Sequence, residues 1–168
     1  HSARPDTGHA HRSVEGDLGI RVTAEGVLAE GQAEGLVDPV EADLLAPTVA
    51  RLSGDVGYLP TDAGSAAEDR RIAMLAALLA LRRHVREHDD DVANVGLVVL
   101  SGGVFRQRPA AGRAAVVATL RGDRVLGPVL HSARVVVDAD FALAPAGLLV
   151  AHGRLRAAAA LLLDHVLP

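Results

Sequence analysis

The run Val95-Gly96-Leu97-Val98-Val99-Leu100, passing straight into Ser101-Gly102-Gly103-Val104-Phe105-Arg106, constrains this chain more than any other stretch. A continuous apolar segment of strand length suits a strand covered on both faces, as in a parallel sheet between helical layers. The glycines that follow let backbone amides approach a bound group with no Cβ in the way. Loops leaving the carboxyl end of a strand are where open α/β sheets usually take their ligands. With Arg106 and Arg108 supplying positive charge, Ser101, Gly102, Gly103 and Val104 form a candidate nucleotide-binding loop. An ordinary strand-to-helix turn would use the same glycines, so spacing alone leaves both readings open.

The elements around this segment fix the class. A helix is expected over about 20–30, and Asp38-Pro39 reads as a helix start, with Asp as N-cap and Pro in the first turn. Val40, Leu44, Leu45, Val49 and Leu52 continue at helical spacing, although Pro47 argues for a kink or break. Residues 54–66 read as loop. The clearest helix runs over about 67–88, where Ile72, Leu75, Leu78, Leu79, Leu81 and Val85 form a wide apolar face and Arg70, Arg71, Arg82, Arg83 and Arg86 lie mainly off it. Pro109 opens a helix of about 110–120, Gly122-Asp123 turns the chain, and Ala133 to Val137 forms a second strand closing on Asp138. Residues of about 140–166 are helical, broken near His152-Gly153. Helices alternating with strands predict an α/β layer structure with parallel pairing. Two or three strands are few for a free-standing sheet, which implies that part of the sheet lies outside this chain.

Composition removes whole classes of chemistry. A chain of 168 residues is most simply one domain, and with 49% hydrophobic but 2% aromatic residues its core is aliphatic. The absence of cysteine excludes disulfides, thiolate metal sites, iron–sulfur clusters and cysteine nucleophiles. All 17 basic residues are arginine, so neither a Walker-type lysine nor a Schiff-base amine is available. A formal net charge of −4 argues against nucleic acid as a partner. No stretch carries the roughly 18 uninterrupted apolar residues of a membrane span; Leu143 to Leu163 comes nearest and is broken by His152, Arg154 and Arg156. The opening residues lack the apolar core of a signal peptide and the chain starts without Met, so a processed or trimmed cytoplasmic product is expected.

Other polar groups have structural alternatives. Glu15-Gly16-Asp17 offers two carboxylates that could position Mg²⁺ or a water, or simply form a polar turn. Asp138 and Asp140 follow a strand, where carboxylates cap the next helix. His84 and His88 stand at i, i+4 but in the last turn of an arginine-rich helix, where histidine suits the dipole, and His9 and His11 occupy a polar connector. No metal site and no catalytic residue is assigned. Ser101 as a nucleophile lacks an identifiable base.

Four separated blocks occur in the order of one family: Ser13-Val14-Glu15-Gly16-Asp17-Leu18-Gly19-Ile20-Arg21, then Tyr58-Leu59-Pro60, then Val99 to Arg106, then Val136 to Leu149. The chain resembles the C-terminal part of the glutamate mutase MutL family, which is unrelated to the mismatch-repair protein of the same name. That family is similar to the actin, Hsp70 and sugar-kinase superfamily of ATPases. Its members accompany adenosylcobalamin-dependent mutases and are thought to act as chaperone-like reactivating factors. The resemblance implies the C-terminal half of an actin-like, ribonuclease H-like domain, mostly helical with a few strands. Residues 1–13 would be a connector, 14–94 a helical part, and 95–168 the adenosine-loop strand, last strand and C-terminal helices.

The same resemblance places Ser101, Gly102, Gly103, Val104 and Arg106 on the adenosine loop, and puts Glu15 and Asp17 just after a phosphate loop. ATP with Mg is the implied cofactor. Mutase subunits and an N-terminal half of the same protein are the implied partners. There are departures. Neither Gly-rich phosphate loop of the family is present, so weak ATP binding and poor hydrolysis are expected of this chain alone. Gln107 follows Arg106 where a histidine is more usual, and Pro145 would cost a helix about 3 kcal/mol unless the helix starts there. Two other readings remain: a non-catalytic module whose aliphatic helices bind a partner, and half of a small-molecule kinase of the same superfamily.

Overall fold

Two clusters of aliphatic side chains share one long helix, and that sharing organises the chain. A computed structural model describes residues 13–88, 95–106 and 110–167. The connector histidines, Asp89-Asp90-Asp91 and Gln107-Arg108-Pro109 lie outside the described residues. In chain order come helices α1 (Ala24–Ala33), α2 (Pro39–Gly54) and α3 (Ala63–Glu87), then strand β1 (Leu97–Leu100). A single helical turn α4 (Gly103–Arg106), α5 (Ala110–Gly122) and α6 (Leu126–Leu130) lead to β2 (Arg134–Val137), and α7 (Leu143–Ala151) and α8 (Leu155–His165) close the chain.

Local signals explain most boundaries. Asp38 caps α2 by accepting the amide of Glu41 at 2.8 Å, with Pro39 at the first helical position. Pro47 does not break α2 as the sequence led us to expect. The buried stripe Ala42, Leu45, Thr48, Val49 and Leu52 holds the helix, and Pro47 lies on the solvent side, where the carbonyl it leaves unpaired can meet water. The expected loop over 54–66 is also shorter. α3 begins at Ala63 because Asp62 and Ser65 form a reciprocal capping box: the Ser65 amide donates to Asp62 Oδ1 at 2.9 Å and the Asp62 amide to Ser65 Oγ at 3.3 Å.

α3 is apolar on two sides. Ile72, Leu75, Ala76 and Leu79 join Val27, Leu28, Leu45, Val49 and Leu52 between α1, α2 and α3. Met74, Leu78 and Val85 join Leu100, Phe105, Val116, Leu120, Leu126 and Leu130 beneath β1, α5 and α6. A helix flanked by two cores must be apolar over most of its circumference.

The parallel pairing predicted from the alternation is present. Leu97 pairs with Arg134, Val98 with Val135, Val99 with Val136 and Leu100 with Val137. Val98, Leu100, Val135 and Val137 point into the second cluster, because alternate residues share a face. The fold is therefore α/β, dominated by helix, with a two-stranded sheet among the described residues. α6, which the sequence did not signal, is started by Asp123, whose Oδ1 accepts the amides of Val125 and Leu126 at 2.9 and 3.0 Å.

α7 and α8 pack as a hairpin. Pro145 is the third residue of α7, where its missing N–H is one that has no helical partner in any case, so the feared cost does not arise. The expected break falls at Gly153, whose φ of +71° ends α7 while Gly153 and Arg154 donate to the carbonyls of Val150 and Leu149. Among the described residues no helix is long and apolar enough to cross a membrane.

Candidate functional site

The loop after β1 faces a cleft of about 740 Å³, lined among others by Ile20, Arg21, Leu59, Pro60, Asp69 and the pair Gly103–Val104. That volume lies within the range of small-molecule sites, about 300–1,000 Å³. The lining brings together residues from three blocks singled out in the sequence: 13–21, 58–60 and 99–106. Residues about 40 positions apart at each step meet because α3 spans the molecule and holds the α1–α2 layer against the β1 loop.

Gly102 makes the loop's turn. Its φ of +136° lies in a region that residues with a Cβ rarely adopt. The amides of Phe105 and Arg106 then return to the Gly102 carbonyl at 3.1 and 3.0 Å, closing α4 and turning Gly103 and Val104 toward the cleft.

The loop's two ends are tied elsewhere. Ser101 Oγ donates to Asp138 Oδ2 at 3.0 Å, and Asp138, 1% exposed at the end of β2, also accepts the amide of Ala142 through Oδ1 at 2.7 Å. The helix-capping role expected for Asp138 and Asp140 is thus observed for Asp138, whereas the Asp140 carboxylate lies 3.0 Å from His165 Nδ1. The guanidinium of Arg106 lies 5.1 Å from the centre of the Phe141 ring, a cation–π distance. Arg106 therefore contacts Phe141, and the cleft lining from this loop comes from Gly103 and Val104.

On the opposite wall α3 contributes Asp69 and Arg70, which the sequence reading left out of the site. Asp69 is buried and accepts Arg21 Nη1 at 2.8 Å. Periodicity marks the position without deciding its burial: Asp69 falls three and seven residues before Ile72 and Ala76, in line with a buried stripe where an acid is out of place. Arg82 carries the same signal three residues past Leu79, and it is 3% exposed rather than off the apolar face.

Glu15 and Asp17 stand apart from the cleft. Arg83 Nη1 bonds Glu15 Oε2 at 2.6 Å and Asp17 Oδ1 at 2.9 Å, Nη2 bonds Asp17 Oδ2 at 2.8 Å, and Glu30 completes the cluster. The Arg83 hydrogen bonds hold Asp17 below its ordinary range, and together the three acids raise Arg83. Arg83 occupies the position a cation would take, so these carboxylates do not fit a Mg²⁺ site as they stand. His84 Nδ1 is 2.8 Å from Ser13 Oγ. Among the described residues no group of three or more His, Asp or Glu side chains is placed so that it could hold a metal ion.

A family model described as MutL protein matches residues 2–166. The chain belongs to the MutL family. The match takes in all four blocks, the cleft and the C-terminal hairpin. Neither a curated protein nor a solved structure matches the chain.

Proposed function

We propose that this MutL-family chain is the adenosine-binding part of an actin-like ATPase, whose parent protein is an accessory factor of an adenosylcobalamin-dependent mutase of the glutamate mutase type. Family membership points to the accessory role beside glutamate mutase. The observation that carries the nucleotide assignment is the convergence of residues 20–21, 59–60 and 103–104 on one cleft of about 740 Å³ at the carboxyl end of β1.

In this proposal the Gly102–Gly103 backbone approaches the adenosine, Leu59, Pro60 and Val104 supply apolar surface, and the Asp69 carboxylate, held in place by Arg21, accepts from hydroxyl groups. The phosphates and their Mg²⁺ would be held by residues outside this chain, since Glu15 and Asp17 are matched by Arg83. The parent protein would act in the cytoplasm. Closure of an N-terminal half over bound ATP would drive release of damaged cofactor from the mutase, in the manner of a reactivating chaperone.

Titration calorimetry tests this directly. Adenosine and ATP should bind the chain with affinities within about threefold of each other, because the residues present address only the nucleoside end. Gly102→Val and Asp69→Ala should each weaken binding at least tenfold. Absence of binding heat from both ligands at millimolar concentration overturns the assignment. Steady phosphate release by this chain alone overturns the assignment of the phosphate site to residues outside it.

A second reading, a partner-binding module, is favoured by the hairpin α7–α8, where Leu148, Leu155 and Leu163 are 65, 64 and 59% exposed. It predicts partner binding that is indifferent to adenosine and to Gly102→Val.

A further inference from the structure

The loop that lines the cleft and the hairpin that exposes its leucines meet at one short junction, residues 138–141. Three side chains of this junction reach in two directions. Asp138 accepts Ser101 Oγ at 3.0 Å on the loop side, and on the hairpin side accepts the amides of Ala142 at 2.7 Å and Leu143 at 3.4 Å, at the start of α7. Phe141 lies under the Arg106 guanidinium, 5.1 Å from it. Asp140 Oδ2 is 3.0 Å from His165 Nδ1 at the end of α8. Ser101 and Arg106 are the two ends of the loop whose middle, Gly103 and Val104, faces the cleft. Both ends of the loop and both ends of the hairpin are thus fastened to the same four residues.

The junction is also conformationally restrained. Phe141 has a φ of +57°, in the left-handed region that an aromatic residue leaves readily unless its neighbours hold it. The neighbours here are the Asp138 carboxylate, which fixes the first amides of α7, and the Arg106 contact. A buried carboxylate with acceptor bonds from two different elements does not tolerate a shift of one without the other, because a donor would be left unpaired in a dry site.

We infer that residues 138–141 couple the glycine loop to the α7–α8 hairpin, with Asp138 as the positioning residue, so that filling of the cleft is read out in the order of the hairpin. The inference rests on the nucleotide assignment for the identity of the ligand, but the coupling itself belongs to the junction. A ligand that draws Gly103 and Val104 inward moves Ser101 or Arg106, and the displacement reaches α7 through Asp138 and Phe141. In thermodynamic terms, loop state and hairpin state share a coupling free energy, and either can bias the other.

Hydrogen exchange read by mass spectrometry on the 168-residue chain tests the coupling without a ligand. Ser101→Ala and Arg106→Ala change the loop ends and alter no residue of α7 or α8. Each should speed exchange in peptides covering 142–151 by about threefold or more, while peptides covering 39–54 in α2 keep their rates. Equal rates in the hairpin overturn the coupling; acceleration in α2 as well would mean general destabilisation and overturns it too. Asp138→Asn keeps an acceptor for Ala142 and should restore slow exchange at the start of α7 relative to Asp138→Ala. Saturating ATP should slow exchange in the same hairpin peptides. If ATP binds and the hairpin does not respond, the coupling fails and the nucleotide assignment stands. If ATP does not bind, that assignment fails and the loop variants alone decide the coupling.

Discussion

Replacing Asp123 by alanine strikes the most deeply buried ion pair among the described residues. Arg82 and Asp123 side chains are each 3% exposed, joined by Arg82 Nη2 to Asp123 Oδ2 at 2.6 Å and by Arg82 Nε to both carboxylate oxygens at 3.1 Å. Asp123 also starts α6 through the amides of Val125 and Leu126. Burial by itself would raise the Asp123 pKa; the Arg82 hydrogen bonds and those two amides outweigh it and leave the carboxyl below its ordinary range. Breaking a buried pair from one side costs about 3–5 kcal/mol because the remaining charge is stranded. Arg82 would keep Glu34 Oε2 at 2.9 Å, which puts the loss at the low end, about 3 kcal/mol. The lost cap adds about 1 kcal/mol. A total of about 4 kcal/mol lowers Tm by roughly 8–16 °C in a chain of this size. Urea unfolding followed by circular dichroism measures it. Asp123→Asn retains the cap acceptor and should recover about 1 kcal/mol of the loss. A loss for Asp123→Ala under about 1 kcal/mol, the scale of an exposed ion pair, would refute this account of Arg82.

Two further perturbations read the charge network. Hydrogen bonds from Arg86, and then Arg82, hold Glu34 at about 2 against an ordinary 4.5, despite the opposing effect of burial. A depressed folded pKa means stability that is full above the ordinary value and is lost as pH falls toward the folded one. Tm should therefore decline below about pH 4.5 more steeply in the wild type than in Glu34→Gln, and parallel Tm curves would contradict the assignment. Arg83→Gln leaves Glu15, Asp17 and Glu30 facing one another without their shared cation. Its Tm should fall, and added Mg²⁺ or Ca²⁺ should restore part of the loss while leaving wild-type Tm unchanged; a variant indifferent to both ions would show that the three acids do not form one site.

The loop after β1 was legible because its signal is local. An apolar run, two glycines and an arginine lie within twelve residues, and the strand and the turn follow from that order, whereas the short helical turn α4 was read as loop. The caps at Asp38 and Asp138 were legible for the same reason. The opposite wall of the cleft was harder to read. Asp69 and Arg70 sit in the charged run Glu68-Asp69-Arg70-Arg71, which looks like the solvated start of α3, and only the α1–α2 layer packed beside it converts Asp69 into a buried acid. Glu15 and Asp17 illustrate the converse. Their spacing suits a cation, and the tertiary structure supplies one from Arg83, 66 residues from Asp17.

Periodicity and short-range chemistry are properties of neighbouring residues, so the sequence by itself determined most of the helix–strand order, the parallel α/β class, the caps at Asp38 and Asp138, and the glycine loop. Its four ordered blocks also marked the MutL family. Which charges are buried, which carboxylates are already paired, and that residues 20–21, 59–60 and 103–104 share one cleft were decided only by tertiary packing. Those outcomes depend on distances between segments tens of residues apart. Such distances are set by how α3 divides the aliphatic core in two, and no local pattern encodes them.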